Sequence, residues 1–327
     1  MLGGTDGAPA PDEDVAEDAA PSFRAFVVDE HGQDDPEHAA TRSVPRLQRQ
    51  VAEVVDEHQM AELKKYFEAN MDQHDHNLRR LADLQDKSVN HEWMWSLHPA
   101  YCRSLEPDVY VDAMRLRLGA GHGDTAVVCR VCCKHATPSG RHALCCAPGP
   151  SREGHDEVRD LVLAVARQGD PSAESEAVGL LPAAPGRRPA DVLTSAAGGN
   201  GLTALDIGVA SPDSLAAVAN GDALEAMRKR KLGEYRYLEA DLRAAGLQYK
   251  PIPWSCWGRE HPDTSVVLEA LARRAARRRG VADWRAVLRQ LRGDINARIA
   301  RRAALMFRQC FLRPLGEDWA GFAGAPV

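Results

Sequence analysis

The sequence predicts a mixed α/β protein whose central segment runs helix, strand, strand, strand, helix, strand, with helical segments before and after it. Three observations carry this. Apolar residues recur at helical spacing over 47–84, 158–165, 222–245 and beyond 265, but alternate or run together in short stretches at 172–181, 191–210 and 247–255. A Gly198-Gly199-Asn200-Gly201 turn joins two of the short stretches into a hairpin. Five of the eight cysteines crowd into residues 129–146, ahead of the first helix of that central segment.

The 327 residues, 44% hydrophobic and 27% charged, suffice for one or two ordinary cores. No run approaches the roughly 18 apolar residues of a membrane span. The first residues lack the charged start and apolar stretch of a secretory signal, so an intracellular chain without a membrane partner is expected. The net charge of −6 conceals an asymmetry: acids crowd residues 6–37, whereas Arg228-Lys229-Arg230-Lys231, Arg273-Arg274, Arg277-Arg278-Arg279 and Arg301-Arg302 follow residue 227. Only the C-terminal half suits a polyanion.

Residues 1–45, rich in Ala, Pro, Gly, Asp and Glu, predict a disordered acidic tail. From 46 to 120 a helical module is expected. Leu47, Val51, Val54, Leu63, Phe67, Leu78, Leu81 and Leu84 mark two or three amphipathic helices. Trp93, Trp95, Tyr101 and Tyr110 then read as packing residues rather than a ligand cage.

Residues 121–150 read as a zinc knuckle. In an intracellular chain, cysteines this dense point to metal rather than disulfides. Cys129, Cys132, His142 and Cys146 give C-x2-C-x9-H-x3-C, three thiolates and an imidazole that close a tetrahedron around structural zinc. Cys133, His135 and Cys145 lie near enough to exchange with members of this set. Cys102, Cys256 and Cys310 read as buried side chains.

The core spans 151–258. Val158, Leu161, Val162 and Val165 share one face of a helix of about four turns, stopped by Gly169-Asp170-Pro171. The stretch 172–181 alternates like a strand, and the glycine hairpin follows. About a turn centred on Gly198 and Gly199, Asp191 and Asp206 stand opposite one another, with Cβ atoms roughly 4.5 to 5.5 Å apart and able to share a divalent cation. Leu205, Ile207 and Val209 would face one way, leaving Asp206 beside the small Ala204, Gly208 and Ala210. A long helix is expected over 222–245 with the stripe Leu224, Met227, Tyr235, Leu238 and Leu242, in which Lys231 takes a core-facing slot. LQYKPIPWS reads as the closing strand, and 259–327 as a basic helical extension.

The cysteine pattern, followed by GLLPAAPGRRPADVL, ALDIGVASP, RKLGEY and GLQYKPIPWSCWG, resembles the C-terminal region of non-LTR retrotransposon polyproteins. It resembles in particular the versions encoded in dinoflagellate genomes. There a zinc knuckle precedes a restriction-like endonuclease of the PD-(D/E)xK superfamily, and the similarity covers about residues 90–312. The resemblance implies a restriction-endonuclease-like core with Asp191 and Asp206 as its two metal-binding acids, separated by fourteen residues. Gly208 stands where the usual lysine is expected, but site-specific relatives carry it on the following helix, matching Lys231 with Tyr235 nearby. Ala190 replaces the motif proline, and Glu176 is a further acidic candidate. His155 and Arg159 match a basic helix that contacts phosphate or supports the site.

The expected activity is therefore Mg2+- or Mn2+-dependent nicking of target DNA, catalysed by Asp191, Asp206, Lys231 and Tyr235. His155, Arg159, Arg273, Arg274, Arg277 and Arg278 would meet nucleic acid, either DNA or the element's RNA, and the nucleus is the implied location. No polymerase signature occurs, so the chain reads as a detached tail of such an element without its reverse transcriptase. An inactive zinc-containing nucleic-acid-binding remnant is the alternative. A protein-interaction module built on the N-terminal helices is a third reading.

Overall fold

The computed structural model describes residues 54–95, 105–120, 126–136, 140–146, 148–181, 184–199 and 201–312. The proposed acidic tail, Tyr101 and Cys102 lie outside them. The described residues fall into two compact units divided between Ala69 and Asn70. The first contributes one helix, α1 (54–69), with Phe67 buried along an otherwise exposed face.

In the second unit, helices α2 (Met71–Leu84) and α3 (Pro107–Leu118) flank a 3-10 turn, Glu92–Trp95. Trp93 is a packing residue: it is buried, meets the Tyr110 ring edge-on at 6.0 Å and packs on Ala297 and Ala304. A small hairpin of β1 (Val127–Val128) and β2 (His135–Ala136) leads to the short helix α4 (Ala143–Cys146) and to α5 (Pro148–Gly169). Strands β3 (Glu174–Ser175), β4 (Val192–Thr194) and β5 (Leu202–Ala210) follow. Helices α6 (Leu215–Asn220), α7 (Ala223–Tyr235) and α8 (Glu239–Ala244) precede β6 (Leu247–Ser255), and α9 (Pro262–Arg279) and α10 (Trp284–Phe311) close the described chain.

The result is a mixed α/β unit with a four-stranded sheet ordered β3-β4-β5-β6. The first two pairings are antiparallel, and β5 runs parallel to β6 along its whole length. Gly198 and Gly199 both adopt positive φ, 84° and 97°, which glycine reaches without a Cβ clash. They make the hairpin turn and set Val192 opposite Leu205, Leu193 opposite Ala204 and Thr194 opposite Thr203.

Alternation along β5 sends Leu205 and Ile207 to one face of the sheet, where α5, α9 and α10 cover them with Val158, Val162, Leu268, Leu271, Ile295 and Ile299. Full burial of such side chains contributes about 1.5–3 kcal/mol each. Ala204 packs on the opposite face with Leu193, Tyr235, Leu238 and Leu242 from α7 and its continuation. Asp206, Gly208 and Ala210 therefore look towards α7.

Three elements differ from the sequence expectation. The alternating stretch 172–181 forms only the two residues of β3, because Glu176 takes φ 49° and leaves the ladder. The helix expected over 222–245 breaks at Tyr235 into a 3-10 turn, Arg236–Leu238, before α8 resumes. α5 is longer than four turns because it begins at Pro148, a residue suited to a first helical turn where no N–H is required.

Asp170 secures the end of α5 to β4. Its carboxylate accepts from the Ser172 N–H at 3.1 Å and hydroxyl at 2.6 Å, from the Thr194 hydroxyl at 2.9 Å, and from the Ser195 N–H at 2.6 Å and hydroxyl at 2.9 Å. Burial opposes its ionisation, but these donors outweigh burial and hold its pKa below the usual carboxylate range. Asp170→Ala is expected to cost about 2–4 kcal/mol in urea unfolding, since several donors lose a charged acceptor. The contribution is full above the unfolded carboxylate value of about 4 and is lost as the pH falls through the depressed folded value. Wild type and variant should thus converge in stability under acid.

Candidate functional site

Two clusters of chemically capable side chains emerge. The first is a candidate metal centre. The β1–β2 hairpin is closed by the Cys129 N–H on the Lys134 carbonyl at 2.8 Å, and the Cys133 N–H returns to the Cys129 carbonyl at 2.9 Å. This tight loop, with Cys133 at φ 58°, turns Cys129 and Cys132 the same way. One helical turn, α4, carries Cys146 four residues beyond His142 and so onto the same side.

The ligand atoms of Cys129, Cys132, His142 and Cys146 all lie within 4.8 Å of one another. Cys129 Sγ is 3.9 Å from Cys146 Sγ, and Cys132 Sγ is 3.3 Å from His142 Nε2. Zinc bonds of about 2.3 Å to sulfur and 2.0 Å to nitrogen imply tetrahedral edges of about 3.3–3.8 Å, so these spacings fit a metal such as zinc. Cys133, His135 and Cys145 stand outside the set and are exposed.

Electrostatics agree with a cation at this place. Burial raises the Cys129 thiol, but the Cys132 and Val131 N–H groups and His142 outweigh it and bring it down to about 6. Burial and the neighbouring thiols push Cys146 up to about 12. One thiolate forms readily and the next requires a positive charge to join it.

Sequence spacing did not reveal Cys310, which is fully buried beside Cys129 and Cys146 in the apolar cluster formed with Phe307 and Leu144. Burial and the adjacent thiols raise its pKa. Its distance along the chain left no local pattern to find.

The second cluster surrounds Asp206. Lys231 is 9% exposed, and its ammonium is bonded to one Asp206 oxygen, while the Tyr249 hydroxyl donates to the other. The lysine stem crosses Gly208: a Cβ there would meet Lys231 Cε at 2.9 Å and Met227 Cγ at 3.0 Å. Asp191 sits one residue before β4, where the ladder leaves its register. Its N–H donates to the Leu205 carbonyl at 2.9 Å, and its carboxylate accepts the Ile207 N–H at 2.6 Å. His155 Nε2 approaches the same carboxylate at 3.3 Å and the Ile207 carbonyl at 3.2 Å.

The two carboxylates are driven apart in acidity. Burial lifts Asp206 above the usual range, more than Lys231 and Tyr249 draw it down, and the charge of Asp191 adds to the rise. Burial also acts on Asp191, but His155, the Ile207 N–H and Lys231 outweigh it and lower its pKa. His155 is itself raised, because Asp191 and Asp156 outweigh the burial that would keep it neutral. Two carboxylates, a lysine and a histidine thus share one partly buried site, in which protein donors meet both Asp206 oxygens and the Asp191 carboxylate.

Of the remaining expected residues, Tyr235 shares α7 with Lys231, whereas the arginines of α9 make other contacts or are exposed. Tyr235 donates to the Arg188 carbonyl at 3.0 Å and packs its ring 4.8 Å from that of Tyr249, so the tyrosine on the carboxylate is Tyr249. Tyr249, which sequence reasoning passed over, lies inside β6, where an aromatic residue reads as ordinary packing. Arg159 is ringed by Asp156 at 3.0 Å, Asp160 at 3.0 Å and Glu176 at 2.6 Å, and Arg188 holds the other Glu176 oxygen at 3.1 Å. Arg273 stacks over Trp284 at 3.9 Å and pairs with Glu269 at 3.3 Å. Arg274 lies along Gly169, while Arg277 and Arg278 are exposed on α9.

No family model, no curated protein and no solved structure matches the chain. No described helix is long and apolar enough to cross a membrane.

Purified protein is expected to carry one equivalent of zinc, measured by plasma emission spectroscopy. Cys129→Ser should abolish this and lower the melting temperature, because site formation is coupled to folding. Asp206→Ala should leave the zinc content unchanged.

Proposed function

We propose that the chain is a metal-dependent DNA endonuclease with a restriction-like core, derived from a non-LTR retrotransposon and acting in the nucleus. The observation that supports this best is Lys231, delivered from α7 across Gly208 onto Asp206 beside Asp191. A lysine next to two acids is one constellation that supports phosphodiester hydrolysis, and here the glycine makes way for a lysine arriving from the helix. The order of α5, β3, β4 and β5, then the helices α6, α7 and α8, then β6 supports the same reading.

In this reading Asp191, Asp206 and the Ile207 carbonyl would hold Mg2+ or Mn2+, which would supply Lewis acidity towards a phosphate oxygen and the attacking water. Lys231 orients that water and offsets the negative charge that grows on the phosphorus oxygens. Tyr249 keeps the Asp206 carboxylate turned towards the lysine, and Tyr235 supports Tyr249 from behind. His155 steadies Asp191 and offers a proton at the edge of the site. The zinc-type centre fixes the N-terminal end of α5 and so the position of His155. Arg277 and Arg278 provide exposed positive charge for the duplex.

One observation favours the inactive remnant instead: protein donors already occupy both oxygens of Asp206, and His155 and Ile207 engage Asp191. Nicking of supercoiled plasmid with Mg2+ or Mn2+ decides between the two. The wild type should nick only with metal, and Asp206→Ala should reduce the rate at least about 100-fold, the scale of losing a principal transition-state contact. Plasmid left intact by the wild type, or cleaved equally by the variant, would refute the nuclease.

Gly208→Ala provides a second test. The flexible Lys231 and Met227 can shift by the small distance required, so thermal stability should change by less than about 1.5 kcal/mol. Displacing the ammonium from Asp206 should nevertheless slow nicking at least about tenfold.

A further inference from the structure

Arg301 and Arg302 are neighbours on α10 with opposite circumstances. Arg301 meets three carboxylates, Glu106 at 3.5 Å, Glu153 at 3.1 Å and Glu157 at 3.0 Å. Arg302 is only 5% exposed, yet no carboxylate among the described residues pairs with it. Its guanidinium donates to the Ser151 hydroxyl at 2.6 Å and the Ser151 carbonyl at 3.3 Å. A buried guanidinium does not shed its proton, so an unanswered charge here costs free energy until an anion meets it.

The fold builds space for this side chain. A Cβ on Gly154 would fall 2.5 Å from Arg302 Cβ and Cγ, so the glycine lets the arginine stem pass beneath α5. Arg302 is among the residues that line a cleft of about 460 Å³ between the cysteine cluster and α7. Ser151, Ser211, Ser214 and Arg230 also line it, and neither Asp nor Glu is among its lining residues. Ser151 belongs to the first turn of the 22-residue α5, whose positive end adds to the field. Met227 and Ala210 form the wall towards the carboxylates. Ala210 is four residues along β5 from Asp206, about 13 Å at strand spacing.

We propose that this cleft is a phosphate-binding site, with Arg302 as its buried anchor, Arg230 at its rim and the serine hydroxyls as donors. Resting on the nuclease reading, its occupant is a backbone phosphate further along the strand whose scissile linkage lies at Asp206. Free phosphate is the other source of the same chemistry.

The test uses the zinc-loaded full chain with inorganic phosphate, by calorimetry, and with a short DNA duplex, by fluorescence anisotropy at several salt concentrations. Ala216→Glu puts a carboxylate on the exposed rim of the cleft without touching the core, and Arg230→Glu reverses an exposed charge. Each should weaken phosphate binding at least about tenfold, and Ala216→Glu should reduce the DNA salt slope by about one. Zinc content and melting temperature report that the variants remain folded.

Loss of both binding modes identifies a backbone phosphate, and loss of phosphate binding alone identifies a free one. If the plasmid stays intact while phosphate binding responds to these variants, the nuclease reading falls and the cleft stands. Equal binding of both probes by wild type and variants overturns the proposal and leaves Arg302 answering only the thiol-rich centre beside it.

Discussion

The contact between Lys231 and Asp206 is the constraint on which the arrangement around the sheet depends. Removing both charges from water is costly, and the pair is stable only because its partners are fixed by independent elements. Asp206 is held by β5, paired on both sides, and by the Tyr249 hydroxyl from parallel β6. Lys231 is held by α7, whose start is capped by Asp222 accepting from the Leu224 N–H at 2.7 Å and the Glu225 N–H at 3.0 Å. The contact requires a glycine at 208, and with it α7 can lie close over the sheet. A Cβ there would meet the Lys231 and Met227 side chains and displace the ammonium from Asp206.

The cysteine-rich segment is joined to the rest of its unit through α10. The Arg130 N–H donates to the Cys310 carbonyl at 2.9 Å, and the Arg130 side chain reaches the Leu312 carbonyl at 2.8 Å. Phe311 lies 6.0 Å from the His142 ring and 5.4 Å from Phe307. A short segment with little apolar surface of its own thereby gains a buried floor. A metal held at the cluster would reinforce the packing of α10, because both restrain the same loop.

Charge is distributed unevenly around this frame. Carboxylates collect on the outer side of α5, where Arg159 and Arg301 answer them, while the cleft beside α7 has arginines and no acids. Buried Glu260 illustrates the ordinary solution: Arg292 grips it at 2.7 Å and Ser265 donates at 2.7 Å. Arg302 has no such partner among the described residues, and this contrast is what the proposed phosphate site rests on.

The sequence by itself determined what depends on local spacing. The glycine turn set the β4–β5 register, the cysteine and histidine intervals selected the four residues that converge, and the helical stripe pointed Lys231 inwards. Each follows from a fixed geometric period of turn, knuckle or helix, so residue numbers alone carry it. Only the tertiary structure decided which side chains arrive from elsewhere. Tyr249 rather than Tyr235 reaches Asp206, His155 meets Asp191 from α5, Cys310 joins the thiols and Arg302 is buried without a carboxylate. The break after Tyr235 and the brevity of β3 likewise reflect packing and backbone demands that propensity does not encode. These contacts connect residues tens to hundreds of positions apart, and no periodicity links their numbers; they exist because helices and strands pack in one particular way.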